Sequence, residues 1–273
     1  MRDHIMPYAS LQPEGNSVEQ YGDSLVSWAK RAREYGFKAA KMECTLAGPY
    51  NHSGLQGSDE QMTEIVRACR ETVGPDFAMM VDVHYRWSDV HSCLRTVSRW
   101  DDLDLFFLET PLQIDDLDGY ATLSREAPMR IAAGEWQNTR FEFLELLDRG
   151  QVQVAQPDVG RVGGLTEAMR VCHMAQDRGR LIVPHCWKTG IGIAASAHMA
   201  AAIPNCPYIE YLPSELCDSA LRRDLVSEPL EMKDGIVKLP EKPGLGVELN
   251  IDCLLYTSPS PRDRTRSRMP SSA

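Results

Sequence analysis

Apolar runs that carry an ionisable residue at or just beyond their ends recur in this chain at a nearly constant interval. Asp82, Glu109, Glu135, Asp158, His185 and Glu210 are separated by 27, 26, 23, 27 and 25 residues. That interval is the length of one strand, one helix and their two connections. The runs, FAMMVDV, LDLFFLE, RIAAGE, VQVAQ, LIVPH and YIEYL, are almost continuously apolar. Strands apolar on both faces belong in a parallel sheet covered by helices. Helical patterns such as TRFEFLELLDRG and GLTEAMRVCHMAQDRG stand between them.

Two more units precede these six. HIMPYA reads as a first strand and KAAKMEC as a second. A helix is expected from Val18 to Tyr35, with Ser17 and Gln20 as a capping box and Gly36 as its stop. A second starts near Ser58 and ends at Gly74-Pro75. Each of the first seven strands is followed by a helix-like segment. Eight such units over about 250 residues predict a TIM-like (β/α)8 barrel. A doubly wound open sheet is the rival, but no Gly-x-Gly-x-x-Gly turn follows the first strand. A barrel of this size folds as one domain, taken here as 1–253. The remainder, 254–273, is rich in Ser, Pro and Arg without hydrophobic period and reads as a disordered or non-native tail.

A formal net charge of -10 argues against general nucleic-acid binding. No signal peptide or membrane span is readable. The eight cysteines at 44, 69, 93, 172, 186, 206, 217 and 253 contain no Cys-x-x-Cys pair. They read as buried thiols in a reducing compartment, so a cytoplasmic protein is expected.

In a barrel the C-terminal ends of all strands converge on one mouth, where active sites form. Any single acidic residue after a strand is ordinarily a helix cap or a solvated loop residue. A series in phase with six consecutive strands is not accounted for that way. Acidic groups crowded at a low-dielectric mouth repel one another unless a cation stands among them. All-oxygen ligation from Asp82, Glu109 and Glu135 would suit Mg²⁺ better than zinc.

The segments VDVH, FLETPL, AAGEWQ, QPDVGRVGGLTE, VPHCWKTGIG and IEYL resemble, in order, the barrel of the enolase superfamily in its mandelate-racemase-like branch. The resemblance implies an enolase-type barrel with Asp82, Glu109 and Glu135 as Mg²⁺ ligands. It implies His185 as base, Asp158 as its orienter and Glu210 as an electrophilic group that donates a hydrogen bond if protonated. Racemases of the branch carry Lys-x-Lys on the second strand; here the pattern is KME, with Lys41 kept and Glu43 at the second position. That weakens a two-base racemase. Asp82 with His84 resembles the Asp-x-His of galactonate-type acid-sugar dehydratases, where the His protonates the departing β-hydroxyl. The resemblance therefore implies a hydro-lyase that turns a sugar acid into a 2-keto-3-deoxy acid. A racemase or epimerase using Glu43 or Lys41, or an inactive metal-binding barrel fragment, are the alternatives. Members normally carry an N-terminal lid domain; this chain opens at the first barrel strand, so the lid is expected to be missing.

Other residues are open on sequence grounds. Lys41 could bind a substrate carboxylate or balance Glu43. Glu43 could orient Lys41, bind a hydroxyl or approach the metal. Arg161 and Lys188, just beyond strand ends, are candidate substrate contacts or solvated loop residues. Thr166 reads as a helix cap. His52 sits in the long loop after the second strand; a place away from the mouth is the ordinary expectation, a place in it the alternative. His91, His173 and His198 fall in helix patterns. The expected partner is a small carboxylate, a sugar acid, with no nucleic acid or membrane and a homo-oligomeric assembly.

Overall fold

The computed structural model describes residues 2–187, 189–213 and 220–253. The chain opens with β1 (His4–Ile5) and β2 (Pro7–Leu11). The parallel strands continue with β3 (Ala39–Glu43), β4 (Ala78–Asp82), β5 (Leu105–Glu109), β6 (Arg130–Ala133), β7 (Val154–Ala155), β8 (Leu181–Ile182) and β9 (Ile209–Tyr211). The strands from β2 to β9 form one eight-stranded sheet in the order β8-β7-β6-β5-β4-β3-β2-β9. The last strand returns to the first: Pro7 faces Ile209 and Ala9 faces Tyr211. Between β8 and β9, the Ile182 N–H donates to the Asn205 carbonyl at 2.9 Å. The sheet is thus curled into the expected TIM-like barrel.

The seven intervening helices fall where the sequence places them: α1 (Val18–Glu34), α2 (Asp59–Val73), α3 (Val90–Val97), α4 (Leu117–Glu126), α5 (Thr139–Asp148), α6 (Leu165–Asp177) and α7 (Gly190–Ala202). A short α8 (Ala220–Arg223) follows β9. At α2 the capping box is complete, Ser58 and Gln61 each bonding the other's backbone. At α1 it is displaced: Ser17 caps Gln20, but the Gln20 side chain accepts from the Asn16 N–H instead. Thr166 is no cap, because α6 starts from Gly164 and Thr166 lies inside its first turn.

HIMPYA is not one strand. It breaks at Met6, and the barrel strand begins on Pro7, a residue tolerated at a strand's first position. Ahead of the break, β1 pairs antiparallel with β11 (Ile236–Lys238), which also pairs with β10 (Met232–Lys233). Cys44, Cys69, Cys93, Cys172, Cys186 and Cys206 are buried free thiols. No described helix is long and apolar enough to cross a membrane. The tail 254–273 lies outside the described residues.

Two hydrophobic layers result. The larger lies between sheet and helices. The smaller lies inside the barrel and takes one residue from each successive strand or its edge: Tyr8, Ala39, Met80, Phe107, Ala132, Val154 and Val183, with Tyr208 against it. These side chains can meet only because the sheet is curled. The alternation of strand side chains then sets what lies above them. Two residues further along come Ser10, Lys41, Asp82, Glu109, Gln156, His185 and Glu210. A polar layer therefore sits directly on the apolar one, at the C-terminal mouth.

Candidate active site

Lys41 stands at the centre of the polar layer, 4% exposed. Its Nζ lies 2.8 Å from Glu109 Oε1, 3.1 Å from Glu210 Oε1 and 3.6 Å from Asp82 Oδ2. Burial pushes the ammonium down, but the charges of Glu109 and Glu210 outweigh it and keep Lys41 protonated. Gln156 Nε2 donates to the other Glu109 oxygen at 2.6 Å. Burial, then the neighbouring carboxylates, push Glu109 up to about 8 against the pull of Lys41. Glu210 accepts from the Ser10 hydroxyl at 2.8 Å and the Cys186 N–H at 2.7 Å. Burial opposes its ionisation, but Lys41, His185 and those donors hold it down, to about 2. In this geometry Glu210 accepts from Ser10, the Cys186 N–H and Lys41, and both Glu109 oxygens accept, one from Lys41 and one from Gln156.

His185 faces the same space. Its Nδ1 lies 2.6 Å from Asp158 Oδ2, and its Nε2 is 3.2 Å from Glu135 Oε2 and 4.0 Å from Glu210 Oε2. Burial pushes the imidazole down, but Glu210, Asp158 and Glu135 raise it overall. With Nδ1 held by Asp158, Nε2 is turned to Glu135 and the cavity, the atom through which a neutral imidazole would take a proton from a substrate. Glu135 reaches the mouth out of phase with the other strands. Gly134, at φ 134, turns the chain there, and a Cβ on it would lie 2.7 Å from Phe143 Cε1 and 3.0 Å from the Gln156 nitrogen.

His84 lies beside Asp82 for a different reason from strand alternation. β4 ends at Asp82, and His84 and Tyr85 adopt left-handed φ values of 47 and 62. The His84 N–H turns back to Asp82 Oδ1 at 2.9 Å, where Thr110 Oγ1 also donates. Its Nδ1 meets the Tyr50 carbonyl at 2.8 Å, and its Nε2 is 3.5 Å from Glu135 Oε1. Burial lowers the ring's affinity for a proton, but Glu135, Asp82 and the Tyr50 carbonyl push it up to about 9. Tyr85 donates to the same Glu135 oxygen at 3.0 Å.

These groups border a cavity of about 470 Å³. Lys41, Glu43, Asp82, His84, Glu135, Arg161 and His185 all line it, so the strand-end series is brought together; Glu109 and Glu210 lie beneath. Arg161 donates to the Glu135 carbonyl at 3.1 Å and stacks 4.1 Å above the Trp136 ring, a cation on the cavity wall. Lys188 lies outside the described residues. Glu43 pairs with His52, while the ion pairs of Lys41 go to Asp82, Glu109 and Glu210. The Glu43 Oε1 is 2.7 Å from His52 Nδ1, and His52 lines the cavity too.

Sequence reasoning passed over Gln156, Ser10, Tyr85 and Thr110. Gln156 and Ser10 were findable from phase alone, being two residues beyond interior apolar positions. Tyr85 and Thr110 arrive through left-handed turns that no periodicity announces. His91, His173 and His198 lie in α3, α6 and α7.

The donor set suits a hard divalent cation in kind: Asp82, Glu109 and Glu135 come from neighbouring strands, with Asp82 and Glu109 in register. In posture Glu109 is committed to Lys41 and Gln156. Among the described residues no three His, Cys, Asp or Glu side chains stand together as a ready cage for an ion.

Comparison with known proteins gives the lineage. The chain is 29% identical over 269 residues to the D-galactarolactone cycloisomerase of Agrobacterium fabrum, covering 95% of itself and 67% of that protein. It is 35% identical over 233 residues to the arabinonate dehydratase of Saccharolobus solfataricus, covering 85% of itself and 57% of that protein. A racemase of Streptomyces coelicolor A3(2), crystallised with bound magnesium, superposes with a TM-score of 0.76 at 27% identity over 92% of this chain and 62% of that one. The chain thus spans roughly three fifths to two thirds of these relatives. The family described as enolase C-terminal domain-like matches residues 24–253, and with the barrel and its ring of strand-end groups in place, the chain belongs to that family.

Proposed function

We propose that this barrel is the catalytic part of a Mg²⁺-dependent acid-sugar dehydratase. It would remove the proton beside a carboxylate and expel the β-hydroxyl to leave a 2-keto-3-deoxy acid. The His185–Asp158 pair carries the proposal: an imidazole locked at Nδ1, with Nε2 in the cavity, is a base in waiting. His185 takes the C2 proton, and Asp158 fixes its tautomer and stabilises the imidazolium that forms. His84, charged among Asp82 and Glu135, protonates the leaving hydroxyl. Lys41 and Arg161 supply positive charge for the substrate carboxylate and distal oxygens. Asp82, Glu109 and Glu135 would hold Mg²⁺, which when bound stabilises the negative charge of the ene-diolate.

The sugar-acid relatives and the magnesium-bound racemase support this choice of substrate class and metal. Because the chain spans only part of those relatives, its activity is tested on the full chain directly. It is incubated with Mg²⁺ and a panel of aldonic and aldaric acids, and 2-keto-3-deoxy products are assayed. His84→Asn should abolish elimination and leave C2 deuterium exchange through His185. Elimination that survives this change would overturn the assigned acid. An epimerase is the second reading, and the pairing of Glu43 with His52 favours it.

A further inference from the structure

Glu43 holds the position where a two-base site would carry its second base, yet its carboxylate is committed to His52 at 2.7 Å. The His52 ring is therefore held at one nitrogen by a carboxylate, as His185 is by Asp158. The loop that carries it is pinned. The Asn51 side chain accepts from the Ser53 and Gly54 N–H groups at 2.9 and 3.1 Å, and its amide donates to the Leu55 carbonyl. The Ala47 N–H meets the Leu55 carbonyl at 2.9 Å, and the Ser53 hydroxyl the Thr45 carbonyl at 2.9 Å. These bonds fold the loop over the mouth, and the His52 ring packs with its centroid 4.1 Å from that of His84. Its side chain is half-exposed, open to both cavity and solvent.

The two carboxylate-held imidazoles stand on different walls. Glu43 ends β3, and His185 follows β8. Around the barrel, β2 and β9 separate these strands on one side and β4, β5, β6 and β7 on the other. Both imidazoles border the one cavity, and a planar ene-diolate held there has two faces.

We propose that His52, positioned by Glu43, is a second proton-transfer group of this site and serves the C2 face opposite to the one served by His185. The substrate class is then a 2-hydroxy sugar acid whose C2 epimers both bind. This rests on His185 acting as the C2 base. His185 Nε2 takes the C2 proton as the C–H electron pair moves into the ene-diolate. Protonated His52 then delivers a proton to the other face as that pair returns to C2. On this path the ene-diolate is inverted at C2 in place of the elimination that His84 completes, nothing is left over, and solvent water resets both imidazoles. His52 is a catalytic residue on this account, and Glu43 is a positioning residue.

The test follows C2 deuterium incorporation by proton NMR in D2O with Mg²⁺. The probes are epimer pairs, D-galactonate with D-talonate and D-arabinonate with D-ribonate. The full chain is compared with His52→Asn, His185→Asn, Glu43→Gln and Glu43→Asp. The expected result is exchange of both members of at least one pair. His185→Asn should lose exchange of one member, and His52→Asn of the other, each by about 10²–10⁴-fold. Glu43→Gln should slow only the member lost in His52→Asn, with Glu43→Asp restoring part of it, whereas simple misfolding would slow both. Exchange of both members within twofold of wild type in His52→Asn, or loss of both in His185→Asn, overturns the role of His52 alone. No exchange of any probe by the wild type overturns His185 as C2 base, and the inference with it.

Discussion

Replacing Lys41 with Met removes the ammonium that contacts all three of Glu109, Glu210 and Asp82. Its three contacts run from 2.8 to 3.6 Å. At an effective dielectric of about 20, each is worth on the order of 5 kcal/mol before the burial of the ammonium is set against it. The net loss on deleting one partner of such a buried group is about 3–5 kcal/mol, because the remaining carboxylates stay buried and uncompensated. For a chain of this length that is a fall in Tm of about 6–20 °C. Mg²⁺ should then stabilise the variant more than the wild type, since two of the carboxylates that lost their ammonium, Asp82 and Glu109, are among those expected to take the ion. At a hundredfold excess over its dissociation constant the ion would return about 2.7 kcal/mol. Thermal and urea melts of both proteins, with and without Mg²⁺, measure this. A loss below about 1 kcal/mol, the size of a surface pair, would refute the claim that Lys41 compensates a buried cluster. So would equal stabilisation of the two proteins by Mg²⁺.

Three further outcomes are expected. Asp158→Asn, which deprives His185 of its 2.6 Å carboxylate partner, should slow C2 exchange by about 10²–10⁴-fold while leaving the melting curve nearly unchanged; an undiminished rate would remove Asp158 from the site. Gly134→Ala should cost about 1–3 kcal/mol in urea melts, because a Cβ would strike Phe143 and the backbone at Gln156 in a left-handed position. Asp59 bonds Arg86, Trp87 and Thr96 and ties the loop after β4 to the start of α2. Burial opposes its ionisation, but those donors outweigh it and leave the carboxyl below its ordinary range. Its contribution is therefore complete above the unfolded value of about 3.9 and is lost as pH falls through the lower folded value. Asp59→Asn should cost about 1–3 kcal/mol near neutral pH, and the gap from wild type should close toward acid; a gap that does not change with pH would show that the charge is not involved.

The barrel and the identity of its mouth residues were legible because two periods coincide in the sequence. One is the spacing of about 25 residues between strand ends, and the other is the two-residue alternation that stacks Lys41 on Ala39, Asp82 on Met80 and His185 on Val183. What escaped depends on backbone turns and loop contacts. Glu135 enters only because Gly134 shifts the phase. His84 reaches Asp82 through a left-handed turn rather than along a strand. His52 owes its place to the Asn51 turn and to Glu43, and nothing periodic marks it. The partners of Glu210 were equally out of reach, since Lys41, Ser10 and the Cys186 N–H arrive from three other parts of the chain.

Isothermal titration of the full chain with Mg²⁺ asks most directly whether carboxylates from neighbouring strands share one ion at the barrel mouth. Binding of a single ion per chain, weakened by at least about tenfold in both Asp82→Asn and Glu135→Gln, is the predicted result. Absence of binding at millimolar Mg²⁺, or an affinity indifferent to both substitutions, would contradict it.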